Sequence, residues 1–556
     1  MIVASSGRLE LRAYEGSDRD ETLLTGWLSD SRVLQWFEGR DRPHDLAMVR
    51  QHYGTEALAA GQVQAAIIHD DTVPLGYLRW YPMTTVVDEY DWRDDPTDVW
   101  AADIFVGEPS RWGSGLGSSA LALLVEHLMV TEGARRVVVD PWVGNARAIR
   151  AYEKIGFRTV GIHRGHELFE GVRRDCWLMA IDALDHPVGL SARLTEPGAA
   201  GPYGAPSAHD RDGIVRLVAD WARHRGLDVH LDEVSPGLRN VVVVRRGSGG
   251  GRSLLLSARL GTAGAPVAPV HGVRLGVGRL EGPRALSTMG GLAVALLAAA
   301  SFAEGELAGD LIVAGVVDDE HTSIGSEALV ARWKADGAVA LEPTGGAVVC
   351  RHRGIEVLEV SVTGRPARTS QPERGVSAVG AAARAVAALE ALDARWSAAA
   401  TDPVFRPAVM VTGVRSEGEA FAVPARCVLT VELRTTSLVT ASEVAPVTEA
   451  ITWAAAPASV SVTTVHTRRP MQMRESHRLA EQACAAVADV AGASAQATSA
   501  SNWTRAAILA RAGIPAVVCG PPGDDLDDEL EWVSTEGLHR CVAVLRTLAR
   551  NWCAPR

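Results

Sequence analysis

The sequence is short of several things, and most of these shortages bear on what the protein can be. No stretch reaches the roughly 20 uninterrupted apolar residues of a membrane-crossing helix. The longest apolar run, around Leu292–Phe302, is Ala-rich and about half that length, as a buried helix would be. Cysteine is sparse: seven residues, at 176, 350, 427, 484, 519, 541 and 553, an odd number with no C-x-x-C pair. That pattern argues against a disulfide framework and fits reduced thiols in a cytoplasm. Positive charge is in deficit, with 55 Lys and Arg against 67 Asp and Glu and a net charge of −12. There is accordingly no bulk electrostatic case for nucleic acid or an anionic membrane, whereas a cationic small molecule would be tolerated. Lysine is nearly missing: only Lys154 and Lys334 among the 55 basic residues, a mark of strong G+C codon pressure that bears on origin and not on mechanism. Residues Met1–Arg12 lack a basic region followed by an apolar core, so no secretory leader is expected and a cytoplasmic location is.

What is present is a globular composition, 47% hydrophobic and 22% charged over 556 residues, enough for two to four domains. Pro187, Gly189, Pro197, Gly198, Gly201, Pro202, Gly204 and Pro206 follow one another closely after Asp185. They predict a linker over 183–194 between a first domain at 1–182 and a second at 195–556, with Thr195–Ser207 leading into the second. Periodicity places strands at Gln64–His69, Gly76–Tyr81, Ala101–Val106 and Arg136–Val139, and helices at Leu116–Thr131 and Asn145–Ile155. After the linker, helix Asp212–His224 and strand Arg239–Arg245 start a second alternation. The expected class is α/β (α+β), and no solenoid repeat is present.

The segment Ala101–Ser118 runs a strand into a glycine-rich turn (Gly113, Gly115, Gly117) that opens a long apolar helix. Glycines let backbone N–H groups approach a phosphate, and a helix N-terminus adds partial positive charge. Many turns before helices need glycine for geometry alone, so the turn leaves both readings open. Some twenty residues on, strand Val137-Val-Val-Asp140 precedes Asn145-Ala-Arg-Ala-Ile-Arg-Ala-Tyr-Glu-Lys-Ile-Gly-Phe157. Together these resemble the GNAT acetyltransferase superfamily. Arg32-Val-Leu-Gln-Trp-Phe37, Arg42, Pro43, Tyr53, Pro74-Leu-Gly-Tyr77, Tyr81, Trp92-Arg-Asp-Asp-Pro96 and Asp103 further resemble the aminoglycoside 6'-N-acetyltransferases. GNAT enzymes acting on siderophore precursors or diamino acids share much of that frame.

The resemblance implies acetyl-CoA as co-substrate, held by Arg111, Gly113, Ser114, Gly115, Gly117 and Asn145, with Trp112 standing where the family has Arg or Gln. It implies a polyamine acceptor bound by Trp36, Tyr81, Asp94, Asp95 and Asp140, and Asp103 and Tyr152 as the catalytic pair. An amine attacks a thioester only when neutral, so a carboxylate such as Asp103 can orient the ammonium and take its proton. Tyr152 can return a proton to the departing thiolate, since a phenol's ordinary pKa of about 10 exceeds that of a thiol. Alternatives stand beside these roles. Asp103 could be a solvated strand end and Tyr152 a core residue. The acidic run Asp88, Glu89, Asp91, Asp94, Asp95 and Asp98 could be a solvated loop or a wall for polycations. Trp36 and Trp92 could be packing residues.

Residues 195–556 resemble the dinuclear zinc aminoacylases and acetylornithine deacetylases. The shared frame includes Leu254-Leu-Leu-Ser-Ala-Arg-Leu-Gly-Thr262, Met289-Gly-Gly-Leu-Ala293, Val317-Asp-Asp-Glu-His-Thr-Ser-Ile-Gly325, Leu341-Glu-Pro-Thr344 and Cys519-Gly-Pro-Pro-Gly523. Residues from about 354 to 462 would form an inserted lid or dimerisation subdomain, and a homodimer through it is an expected partner arrangement. The ligand positions are altered. The H-x-D element reads Arg259-Leu-Gly261, the bridging aspartate falls at Ser287, and the catalytic glutamate is Asp319 beside Glu320. Glu342 keeps an acid, the last histidine falls among Asp527 and Asp528, and the lid histidine reads Arg368. Two zinc ions need imidazoles and a bridging carboxylate, so no metal and no hydrolysis are expected. His321 is a replacement ligand or a turn residue. Arg259 and Arg368 would bind an anion or pair with Glu320 or Glu342.

Overall fold

The computed structural model of the protein describes residues 1–90, 92–195, 213–260, 273–282, 289–317, 322–524 and 531–556. The N-terminal part is built on one mixed sheet of β1 (Ile2–Ser6), β2 (Leu9–Ala13), β3 (Gln64–Asp70), β4 (Val73–Pro82), β5 (Val99–Val106), β6 (Arg136–Val139), β7 (Arg158–Phe169) and β8 (Val172–Asp182). Their order is β1-β2-β3-β4-β5-β6-β8-β7. Neighbours are antiparallel except β5 and β6. That parallel pairing covers only Val99–Ala101 against Arg136–Val138, while β4 follows β5 to Val106. Beyond Ala101 the two central strands part, and the sheet opens between them.

Helices α1 (Asp18–Trp27), α2 (Ser31–Leu34), α3 (Leu46–Tyr53) and α4 (Thr55–Ala60) join β2 to β3. Helices α5 (Leu116–Val130) and α6 (Ala146–Ile155) flank β6, and α7 (Pro187–Thr195) follows β8. Side chains alternate across the strands. Ala66, Ile68, Leu78, Trp80 and Ala102 pack on one face with Leu121, Leu124, Val125 and Leu128 of α5. Ala65, Ile67, Tyr77 and Phe105 pack on the other with Leu24, Trp27, Val49 and Tyr53. Helix α6 is fixed at both ends. Asn145 Oδ1 accepts from the Ala148 N–H at 3.1 Å, and Gly156 ends the helix with φ of 115°.

Residues 183–194 are not the loose linker that their prolines and glycines predict. Ala183–Asp185 make a 3-10 turn, and in α7 every residue from Pro187 to Thr195 except Arg193 is buried. Pro187 sits at the first helical position, where no N–H is needed. Gly189 is there for closeness, since a Cβ would stand 2.5 Å from the Ala183 carbonyl oxygen. The lead-in beyond Thr195 lies outside the described residues.

The chain divides into two compact units that do not follow the linear boundary. The first comprises Met1–Leu227, Arg259–Ser301 and Pro521–Ala543, so it adds to the N-terminal sheet the buried helix Gly291–Ala300 and the start of helix Thr535–Trp552. It also holds a small sheet of Arg274–Gly276, Arg279–Gly282, Glu531–Ser534 and Gly523–Asp524. The second comprises Asp228–Ala258, Phe302–Gly520 and Val544–Arg556. Its large mixed sheet includes Leu238–Arg245, Leu311–Val316 and Gly337–Ala340. The segment expected as a lid forms a separate antiparallel sheet in the order Ala408–Glu417, Arg426–Thr435, Gly354–Thr363, Ser459–Arg468, ending six residues later than predicted. Helices Ala378–Ala399 and Ala441–Ala455 cover it through Leu389 and Ile451 packed on Leu358, Leu429 and Val431. Among the described residues, no helix is long and apolar enough to cross a membrane.

Candidate functional site

Where β5 and β6 part, a cleft of about 1180 Å³ opens, lined by Ala102–Val106 of β5, by Val139 at the end of β6 and Asp140 after it, and by the glycine turn and α6. Gly113 and Gly115 adopt φ of 79° and 87°, which an L side chain rarely takes, and a Cβ on either would meet nothing within 4 Å. No side chain caps α5. Its first-turn N–H groups are therefore left to an acceptor from outside the helix. A cradle of this kind fits the phosphates of acetyl-CoA.

The remaining residues expected to hold that group are placed unevenly. Gly117 and Asn145 line the cleft, Asn145 with its oxygen committed to capping α6. Arg111 lines it too, with its guanidinium paired to Asp70 at the end of β3. Ser114, between two lining glycines, does not itself line the cleft, and its hydroxyl donates to the Arg111 carbonyl at 2.6 Å. Ser118 lines the cleft instead. Trp112 donates from its indole N–H to the Val106 carbonyl at 2.8 Å and carries the Arg147 guanidinium 4.2 Å above its ring. Arg147 also lies 5.3 Å from the Trp36 ring, and Trp36 leans on Trp142. Trp36 is thus both a packing residue and a wall of the cleft.

Carboxylates gather in the same cleft: Asp103, Asp140, Glu38, Glu89 and Glu167. Asp103 accepts from Arg79 Nε at 2.7 Å and from the Tyr81 hydroxyl at 3.4 Å. Asp140, whose side chain is 18% exposed, lies 3.2 Å from His166 Nε2. Burial pushes the Asp140 carboxyl up, with Asp103 adding to the effect, and the Asp140 carboxylate raises the His166 imidazole in turn. Burial, with Asp140 nearby, pushes Glu167 up to about 7. Burial also raises the phenols of Tyr81 and Tyr152, so both keep their protons at neutral pH. Tyr152, half-buried, lines the cleft with its ring 6.0 Å from Phe157.

Asp94 and Asp95 are not among the lining residues. Asp95 accepts from the Thr97 N–H at 3.0 Å in a tight turn, and its carbonyl accepts from Arg135. Of the acidic run, Glu89 reaches the cleft and Asp91 lies outside the described residues. Glu38, Arg79, His166 and Glu167 carry no spacing signal in the sequence. Pairing of β7 with β8, and of β4 with β5, brings the last three in.

Comparison with known proteins agrees with this architecture. The acetyltransferase (GNAT) domain family matches residues 17–164, and peptidase family M20/M25/M40 matches residues 264–551. An aminoglycoside N(6')-acetyltransferase type 1 of Klebsiella pneumoniae is 32% identical over 163 residues, spanning 29% of this chain and 79% of that protein. The acetylornithine deacetylase of Myxococcus xanthus is 30% identical over 340 residues, 59% of this chain and 87% of the relative. Among solved structures, aminopeptidase PepT of Bacillus cereus superposes with a TM-score of 0.54 at 18% identity, covering 66% of this chain and 98% of its own, a likeness of fold. The chain belongs to the GNAT acetyltransferases through its N-terminal region and to peptidase family M20 through its C-terminal region.

Several of the positions at which the M20 resemblance expects zinc ligands carry residues of other chemistry. Arg259, Gly261, Ser287 and Arg368 offer neither imidazole nor carboxylate. Gly261, Ser287, Asp319, Glu320, His321, Asp527 and Asp528 lie outside the described residues. Glu342 is held by Arg505, whose Nη1 donates to its Oε1 at 2.5 Å with the arginine fully buried. Arg368 is exposed, on a turn bridged to Ala422.

Proposed function

We propose that the N-terminal region is an N-acetyltransferase for an aminoglycoside-like polyamine, with the 6'-amino group as acceptor, serving resistance or antibiotic biosynthesis. The observation that carries this reading is the group of carboxylates, Glu38, Glu89, Asp103, Asp140 and Glu167, in the same cleft as the open glycine turn. The 32% identity to aminoglycoside N(6')-acetyltransferases supports it.

When bound, acetyl-CoA supplies an acetyl group activated as a thioester. The turn at Gly113–Gly117 and the first N–H groups of α5 hold its phosphates. The edge of β5 beyond Ala101 presents backbone donors that can polarise a carbonyl. Asp140 and Glu167 orient the acceptor ammonium, and Glu167, titrating at about 7, accepts its proton near neutral pH. Asp103 positions the acceptor together with Arg79, and Tyr152 keeps a proton to donate to the leaving sulfur. Holding the two reactants together contributes up to about 7–11 kcal/mol in ideal geometry.

The altered ligand positions support a C-terminal region without hydrolytic activity, retained for binding or assembly. Hydrolysis of N-acetylornithine by the full chain with added zinc or cobalt would contradict that. The exposed side of the edge strand Ala408–Glu417, with Met410 and Val414, supports a homodimer through the lid sheet, testable by sedimentation. Likeness to an acetylornithine deacetylase favours, as a second reading, a diamino acid acceptor. Acetyl transfer by the full chain to aminoglycosides and to ornithine, with products identified by mass spectrometry, separates the two.

A further inference from the structure

We propose that Glu126, His186 and His539 form a binding site for one divalent transition-metal ion, with zinc the best match to its donors. Glu126 lies on α5, His186 in the turn before α7, and His539 on helix Thr535–Trp552, all within the first compact unit. One donor atom from each lies within 4.8 Å of the other two. None of the three lines the acetyl-transfer cleft or falls at a position that the M20 resemblance assigns to metal.

Three observations point to a cation. His186 is 2% exposed, and neither of its ring nitrogens has a hydrogen-bond partner. A buried polar group in that state needs an account, and a metal ion would supply one. Glu126 is the one acid of the largely apolar helix α5 and is buried, and His539 Nε2 lies 3.5 Å from its Oε1. That separation is long for a hydrogen bond. It matches the roughly 3.4 Å between two donors of a tetrahedral ion with bonds of about 2.1 Å. The His186 and His539 rings meet edge to face with centroids 4.7 Å apart, beside the same carboxylate. Two imidazoles and one carboxylate suit zinc better than calcium or magnesium, which prefer all-oxygen sets. His539 is 40% exposed, leaving a path for the ion and for a water as fourth ligand.

Such an ion would tie α5, which packs under the acetyltransferase sheet, to the turn ahead of α7 and to the C-terminal helix. Its role is structural, since binding to the folded chain alone stabilises that state.

The test is equilibrium dialysis of the chelator-treated full chain against zinc, with bound metal counted by mass spectrometry. Wild type is expected to retain one ion per chain at low micromolar zinc. His539→Gln and Glu126→Gln are each expected to weaken binding at least tenfold while keeping the far-UV circular dichroism. X-ray absorption of the wild-type zinc form should show two imidazoles and no sulfur, a readout that does not depend on the variants folding. No retained ion, an undiminished ion in both variants, or a sulfur shell would each overturn the proposal.

Discussion

Arg79 of β4 and Asp103 of β5 stand directly opposite one another in the sheet, joined Nε to Oδ2 at 2.7 Å inside the cleft. The pair makes Asp103 a carboxylate with a fixed cation, suited to positioning more than to proton transfer. Asp103→Asn leaves the Arg79 guanidinium, mostly out of solvent, without its charge partner. The variant should lose about 2 kcal/mol of stability in urea denaturation. Its kcat/KM for a polyamine should fall at least tenfold, mainly through KM.

Glu167 sets a pH dependence. Its carboxyl titrates at about 7 in the folded protein, above its ordinary value of about 4.3. Between those values the folded state binds more protons than the unfolded, so this group's contribution to stability falls as pH rises from about 4.3 to 7. Ionised Glu167 attracts and deprotonates a cationic acceptor, so kcat/KM should rise through pH 7. Glu167→Gln should remove that limb and lower the plateau, yet raise the melting temperature at pH 8.

Gly115 is the left-handed N-cap of α5. Gly115→Val should cost at least 1–2 kcal/mol from backbone strain. It would also place a branched side chain in the open cradle. Titration calorimetry should show acetyl-CoA affinity reduced at least tenfold, with acceptor affinity changed much less.

The secondary structure around the cleft was readable because its signals are local. The period of Leu116–Val130, the Asn145 cap and the Gly156 stop of α6 each act within a few residues. Helix α7 is hidden in the sequence because Pro187 and Gly189 read as breakers, whereas one begins the helix and the other permits contact with Ala183. Asp94 and Asp95 look like a wall for polycations by composition, but Asp95 is spent on its own turn. Glu38, His166 and Glu167 enter the cleft by long-range packing and strand pairing, which no motif spacing records. Glu126, His186 and His539 are gathered from distant points of the chain for the same reason.

In the second unit, Arg505 is fully buried against Glu342, itself 8% exposed. Arg505→Leu removes one charge of a buried ion pair and should cost about 3–5 kcal/mol. Pairing it with Glu342→Leu should recover much of that loss, because removing both charges is far less costly than removing one. Guanidinium denaturation of the two single variants and the double variant checks the sign of the coupling.

In the proposed reaction this cleft transfers acetyl groups to a polycation through its carboxylates. The most direct measurement is the steady-state kcat/KM of the full chain, with acetyl-CoA, for an aminoglycoside bearing a 6'-amino group and for its 6'-hydroxyl counterpart, repeated with Asp140→Asn. Transfer confined to the 6'-amino compound and reduced at least a hundredfold in the variant is the predicted result. Equal transfer to both compounds, or an unaffected Asp140→Asn enzyme, would contradict it.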